Sequence, residues 1–328
     1  LNRNKFFILI NVDFEGVEMF KFQKEQEIAN IAGVKVGGQP GELPTVLAGT
    51  FFYNKHEIVE NAAKGLFDRD AAEKLVNLQE SGSDTTGNPH MVHIFGTTVE
   101  SITHYIDFIA DVSDSPFLID SPEGAVRSHA ARYVSEIGLA DRAVYNSINM
   151  SINASEIEAL EQSDIDSSII LGFNAKDSTL QGRMELLETG AGLLEEGLLS
   201  IADRCGIVNK LIDPSITPMG NGAGIALRMT ITAKAKWGYP TGSGIHNAPS
   251  AWNWLNRQKE KDPVMYKICD VGSTCLQQAA AGDFILYGPI EYAEYIFPMA
   301  AMSDIMIAEA VADLDIEPAN RHPINLLV

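Results

Sequence analysis

Eight short β-rich runs recur along this chain between stretches patterned as helices, and that alternation most constrains the fold. They are "TVLAGTFF" from 45, "MVHIF" from 91, "PFLID" from 116, "AVYNSI" from 143, "SSIILGF" from 167, "KLID" from 210, "YPTGSGI" from 239 and "FILYG" from 284. Strands that alternate with helices read as parallel βα units. The near-continuous apolar character of most of them suits strands buried on both faces. Run starts spaced roughly 25 to 45 residues apart fit one α/β domain, a (β/α)8 TIM barrel, better than two domains. A doubly wound open sheet is the alternative. Its dinucleotide fingerprint is not met, because "GNGAGIAL" at 220–227 follows no adjacent strand and lacks the downstream acid. With 328 residues and 45% hydrophobic content, the chain has the material for a barrel-sized core.

The helical stretches carry start signals. "TTVESITHYIDFIADV" offers Thr97 as a cap with Glu100 three residues on, and "SEIEALEQ" repeats that box with Ser155 and Glu158. "DSPEGAVRSHAARYV" offers Ser121 as a cap and Pro122 at the first helical position. Residues 1–18 read as a leader or extension ahead of Met19, with 19–328 as a single domain. Residues 19–44 are expected to form a small hairpin that closes the bottom of the barrel.

Composition excludes several classes. A formal net charge of −20 argues against nucleic-acid binding, which needs clustered Lys and Arg. No apolar run is long enough to span a bilayer. Cys205, Cys269 and Cys275 are too few for a disulfide framework, which favours a reducing, cytoplasmic home. Zinc on Cys269 and Cys275 is disfavoured for want of a neighbouring His, so no metal site is expected.

In a barrel of this kind the ligand meets the C-terminal ends of the strands. Those ends read Asp120-Ser121, Asn146-Ser147-Ile148-Asn149, Asn174-Ala175-Lys176-Asp177, Asp213-Pro214 and His246-Asn247. The set is rich in Asp and Asn and poor in Arg and Lys. No phosphate cradle with a lysine and no G-x-S-x-G elbow appears, so phosphoryl transfer and acyl-enzyme hydrolysis are disfavoured. Acids with several amides suit a flat heterocycle with N–H donors on one edge, because a carboxylate accepts two parallel bonds there. A pterin has such an edge. Each residue also has a plainer reading. Asp120 is equally a helix cap, Asn149 a turn residue and His246 a structural histidine, while His93, His104 and His129 read as structural. Asp213 resists the plain reading, since an acid that ends a buried strand before Pro214 needs a cavity to line.

The blocks "GVKVGGQPGELPTVLAGTFFY", "PFLIDS", "YNSIN", "LIDPSITPMGNGAG" and "SGIHNAPSAW" together resemble the H-subunit family of tetrahydromethanopterin S-methyltransferase. That family is similar to the pterin-binding methyltransferase barrels. The resemblance runs from about Met19 to the C-terminus. It implies methyl transfer between N5 of a tetrahydropterin, of the tetrahydromethanopterin or tetrahydrofolate type, and the cobalt of a partner corrinoid protein. It also implies a homo-oligomer, cytoplasmic or held peripherally on a membrane methyltransferase complex. Related proteins run the transfer in reverse, in demethylation. A non-catalytic subunit that binds pterin or corrinoid protein is the alternative of another class.

By the same resemblance Asp120 and Asp213 hold the pterin edge and Asn146 lines its pocket. Ser121, Asn174 and Asp177 are further candidates for substrate binding. Asn247 is the hydrogen-bonding group near N5, and His246 is a candidate proton source. One departure stands out: "VHIFG" occupies the end of the second strand, where the wider pterin barrels carry an acid.

Overall fold

The computed structural model describes residues 20–53 and 55–328. The reading of residues 1–18 and Met19 therefore lies outside the described residues. All eight β-rich runs form strands: β1 (Val46–Phe51), β2 (His90–Phe95), β3 (Phe117–Asp120), β4 (Ala143–Ile148), β5 (Ser167–Leu171), β6 (Asn209–Asp213), β7 (Gly242–Ser243) and β8 (Phe284–Pro289). They form one parallel sheet in the order β6-β5-β4-β3-β2-β1-β8-β7, and a parallel bridge between Ile212 and Thr241 joins β6 to β7 and closes the barrel. The (β/α)8 expectation holds.

The helices that concern the site are α1 (Arg69–Thr86), α2 (Val99–Val112), α3 (Gly124–Glu136), α4 (Ala154–Glu161), α5 (Leu180–Thr189), α6 (Leu198–Arg204), α7 (Ala223–Trp237), α8 (Asn247–Ser250), α9 (Asn253–Lys259), α10 (Pro263–Ala279) and α11 (Ala293–Ala310). Three expected starts shift. α2 is capped by Thr98, not Thr97, and its capping box closes on Ser101 rather than Glu100. Thr98 is the residue in extended conformation there, so its hydroxyl is the one aimed at the first turn. α3 begins only at Gly124, because Ser121 Oγ accepts from Glu123 N at 3.2 Å and closes a tight turn around Pro122. α4 is capped by Asn153, whose side-chain oxygen accepts from the Ser155 and Glu156 amides. Ser155 is consequently inside the helix, its hydroxyl donating back to Asn153 Oδ1 at 2.8 Å.

The expected hairpin is present as Ile28–Ile31 paired antiparallel with Val34–Gly37. Its Ala29, Ile31 and Val36 pack with Val46, Ala48, Met91, Leu118, Val144, Ile169, Leu211, Phe284 and Leu286, one inward-facing residue or more from most strands. Asn209, the first residue of β6, accepts from the Asn30 amide at 3.3 Å. The hairpin thus plugs the N-terminal end, and the interior above it is filled by aliphatic side chains.

Strand alternation then fixes what lies above that apolar layer. Two residues beyond inward Ala48, Met91, Leu118, Val144 and Leu211 come Thr50, His93, Asp120, Asn146 and Asp213. A hydrophobic floor and a polar mouth follow from one period of two.

Candidate active site

Within that mouth, His93 forms the hub. Its Nδ1 lies 3.0 Å from Thr50 Oγ1 and its Nε2 lies 2.8 Å from Asp120 Oδ2, with Asn146 Nδ2 at 3.4 Å from the same nitrogen. The Asp120 carboxylate can only accept, so it sets Nε2 as the donor, and Nδ1 then accepts from the Thr50 hydroxyl, which can turn to suit. From sequence alone His93 reads as structural. The signal that identifies it is its register, two residues past inward Met91, matching Asp120 past Leu118. His93 also lies on the second strand, whose end carries an acid in the wider pterin barrels.

Asp213 faces this group from β6 and is only 6% exposed. Burial pushes its carboxyl up to about 7, against bonds from the Ser215 and Gly244 backbone and the Arg183 charge, which pull it down. The Ser215 amide donates to Oδ1 at 2.6 Å. A group poised near neutral pH in a cleft is suited to exchanging a proton or accepting a charged edge.

The segment "SGIHNAPSAW" enters from β7 and is shaped by two glycines. A Cβ on Gly288 would lie 2.6 Å from the His246 ring, and one on Gly244 would lie 2.9 Å from Asn247 Nδ2. Both side chains occupy space that only glycine leaves open. Burial, and the nearby His93, push the His246 imidazole down to about 4, and its Nδ1 has no partner among the described residues. His246 is therefore neutral at neutral pH. Asn247 is exposed on the rim at the start of α8. Its backbone amide donates to Gly244 O at 3.0 Å, and its side-chain amide makes no hydrogen bond among the described residues.

The remaining candidates are engaged locally. Asn174 donates to Gly182 O at 2.8 Å and accepts from the Lys176 and Asp177 amides. Asp177 accepts from the Thr179 amide at 2.9 Å, and the Thr179 side chain first and its amide second hold the carboxyl below the usual range. No bond joins either residue to the His93–Asp120 group among the described residues. Ser121 is buried, with its hydroxyl closing the turn before α3 and its carbonyl accepting from Arg127. Cys269 and Cys275 are half-buried and unpaired on α10, and among the described residues no three His, Cys, Asp or Glu side chains gather as metal ligands. No described helix is long and apolar enough to cross a membrane.

Solved structures similar to this fold include dihydropteroate synthase of Yersinia pestis in complex with a sulfonamide drug. That match has a TM-score of 0.56 at 12% identity and covers 88% of this chain and 100% of that one. Among relatives in sequence, the H subunit of the "Putative methyltransferase mtx" of Methanosarcina mazei is 93% identical over 310 residues, 94% of this chain and all of that protein. The H subunit of tetrahydromethanopterin S-methyltransferase from Methanothermobacter thermautotrophicus is 53% identical over 305 residues, 93% of this chain and 98% of that protein. The family described as the tetrahydromethanopterin S-methyltransferase MtrH subunit matches residues 24–319. The chain belongs to that methyltransferase family.

Proposed function

We propose that the chain moves a methyl group between N5 of a methyl-tetrahydropterin and the cobalt of a corrinoid protein, with the pterin seated in the barrel mouth. The observation that carries this reading is Asp213, a buried acid held near neutrality at the end of β6, facing the Asp120–His93–Asn146 group. A pterin offers a ring N–H beside an amino group, and those two donors match one carboxylate. On this reading Asp213 takes that edge as a carboxylate, while Asp120 and Asn146 border the ring.

A methyl leaves N5 as a cation equivalent, so N5 must carry a proton for its lone pair to be a tolerable leaving group. Methyl passes from protonated N5 to Co(I), and the tetrahydropterin is left neutral with hydrogen on N5. Asn247 on the rim is the neutral amide that hydrogen-bonds N5 as charge changes there. His246, pushed down to about 4, does not supply a cationic acid at neutral pH. The corrinoid protein is the macromolecular partner in this reading, approaching an open mouth. Attachment to a membrane methyltransferase complex goes with the same reading.

Purified protein mixed with a methyl-tetrahydropterin and free cob(I)alamin provides the test. Methyl transfer by the chain alone supports the enzyme. Pterin binding without transfer supports the non-catalytic alternative, and failure to bind pterin removes both.

A further inference from the structure

Four cations are buried among the described residues, and three of them sit on a carboxylate: Arg127 on Glu156 at 2.6 Å, Lys210 on Asp203 at 2.7 Å and Lys234 on Asp283 at 2.7 Å. Arg183 of α5 is the exception. It is fully buried and has no carboxylate within ion-pair distance among the described residues. Its guanidinium donates only to carbonyls: Nε to Ser178 O at 3.1 Å, and Nη1 to Pro214 O and to Ser215 O, the latter at 2.7 Å. Nη2 is buried with no partner among the described residues. Asp213 acts on Arg183 through its charge but makes no direct bond to it, and a buried guanidinium nitrogen with no acceptor is costly, so a fold that keeps one has a use for it.

The free nitrogen stands beside a second source of positive potential. It lies 4.0 Å from where a Cβ on Gly222 would sit, with Thr217 Oγ1 at 3.6 Å from the same point. Gly222 is the N-cap residue of α7, a helix of 15 residues with no side-chain cap. The first helical amides bonded back to Gly222 are those of Ile225 and Ala226. The N–H groups of Gly222, Ala223 and Gly224 accordingly have no acceptor among the described residues. Free amides at a helix start, with the helix dipole behind them, bind anions. A chain with a net charge of −20 has few places where such potential survives.

We propose that Arg183 Nη2 and the N-terminus of α7 form an anion-binding site, for a phosphate or carboxylate group, beside the mouth of the barrel. The 214–222 segment lies over the guanidinium and carries Gly220 and Gly222 at φ 88° and 99°, so it rearranges around the anion at little steric cost. The carbonyls of Pro214 and Ser215 that hold Arg183 directly follow Asp213. An anion seated there is therefore a near neighbour of a pterin gripped by Asp213. Its source is either the side arm of that substrate or a separate small anion.

The experiment is thermal melting of the full chain with inorganic phosphate against chloride at matched ionic strength. A saturable rise in melting temperature with phosphate is expected. Gly224→Asp tests the site without touching the core, since a Cβ at Gly224 meets open space and an acid in the first turn favours a helix. It should fold normally and bind phosphate at least about tenfold more weakly. Arg183→Gln should weaken phosphate as much and also lower the melting temperature, because it frees the carbonyls that Arg183 holds. Absence of the phosphate effect in the native chain, or its persistence in Gly224→Asp, overturns the site.

The source is resolved with two methyl-tetrahydropterins, one bearing an anionic side arm and one cut back to the ring. If both variants raise KM for the armed substrate alone, the anion arrives on the substrate. If KM is unchanged for both substrates while phosphate binding is lost, the anion is separate. The melting arm uses no pterin, so it stands or falls independently of the proposed methyl transfer.

Discussion

The two ends of the barrel use the same residue types and treat them oppositely. At the floor, Lys234 Nζ sits 2.7 Å from both Asp283 oxygens and 3.0 Å from Gly38 O, and Asp283 also accepts from the Thr241 amide. Asp304 accepts from Thr45, Asn88 and Gln278. At the mouth, Arg183 Nη2 and His246 Nδ1 are buried without partners among the described residues, and the Asn247 side chain is exposed on the rim. The floor also holds unpartnered atoms, Asn88 Oδ1 and Gln278 Oε1, but its buried cation is paired, whereas at the mouth the open atoms belong to a guanidinium and an imidazole. Cavity size does not draw this distinction. A groove of about 760 Å³ lies at the floor between Val34, Lys35, Glu80, Asp84, Ser113 and Arg321, away from the unpartnered groups at the mouth. Chemistry marks the site better than volume here.

The comparison breaks first at the floor. Lys234→Met leaves Asp283 buried without its cation and should cost about 3–5 kcal/mol of stability, the usual penalty for orphaning a buried charge. Denaturant melts read this directly, while pterin affinity per folded molecule should not change. At the mouth the expectation reverses. Asn247→Ala should lower the single-turnover methyl-transfer rate by about 10²–10³, as for one oriented transition-state donor, with melting temperature and pterin affinity nearly unchanged. If the variant instead melts early and turns over normally, Asn247 is a corner residue.

Asp213 sharpens the contrast because its two effects should have opposite signs. Asp213→Asn should weaken binding of a methyl-tetrahydropterin by about 1–3 kcal/mol, the worth of a charge-assisted bond in a buried site. The folded protein holds the Asp213 proton up to about 7, whereas the unfolded chain loses it near 3.8. This group's contribution to stability is therefore full below the unfolded value and is lost as pH rises through about 7. Asn has no such charge to bury, so the variant should be more stable than the native chain at pH 8 and closer to it at pH 5. Calorimetry of binding and melts at the two pH values check both signs.

How much of this is legible in the sequence depends on which interactions are local. Seven of the eight strands are legible because each contains an apolar stretch whose burial is set by its own residues, and β7, only Gly242–Ser243, is legible from the spacing of the units. Asp120, Asn146 and Asp213 are legible as polar residues at strand ends. His93 is not, because "MVHIF" reads as a buried strand from end to end, and only the register of Met91 turns the histidine into the mouth. The caps move by one or two residues because "TTVES" and "NASE" each offer two candidate caps, and the winner is set by which backbone is extended. Arg183 is invisible for another reason: its unpartnered Nη2, and its approach to Asp213 without a direct bond, are set by elements distant in sequence.

The smallest expected effect concerns His246. Its imidazole is pushed down from 6.5 to about 4, so the ring is already neutral throughout the neutral range. An imidazole acts as a strong proton donor in its cationic form, which this one does not hold at neutral pH. His246→Gln should then lower methyl transfer by less than about tenfold and leave the shape of the pH–rate profile between about pH 6 and 8 unchanged. Its effect on stability should appear only in acid. The unfolded chain protonates this residue below about 6.5 and the folded chain resists until about 4, so native stability falls with pH across that window. Gln does not titrate, and the variant should lose that part of the acid slope. A large rate loss at neutral pH, with an altered profile, would return the proton-transfer role to His246 and leave Asn247 as its support.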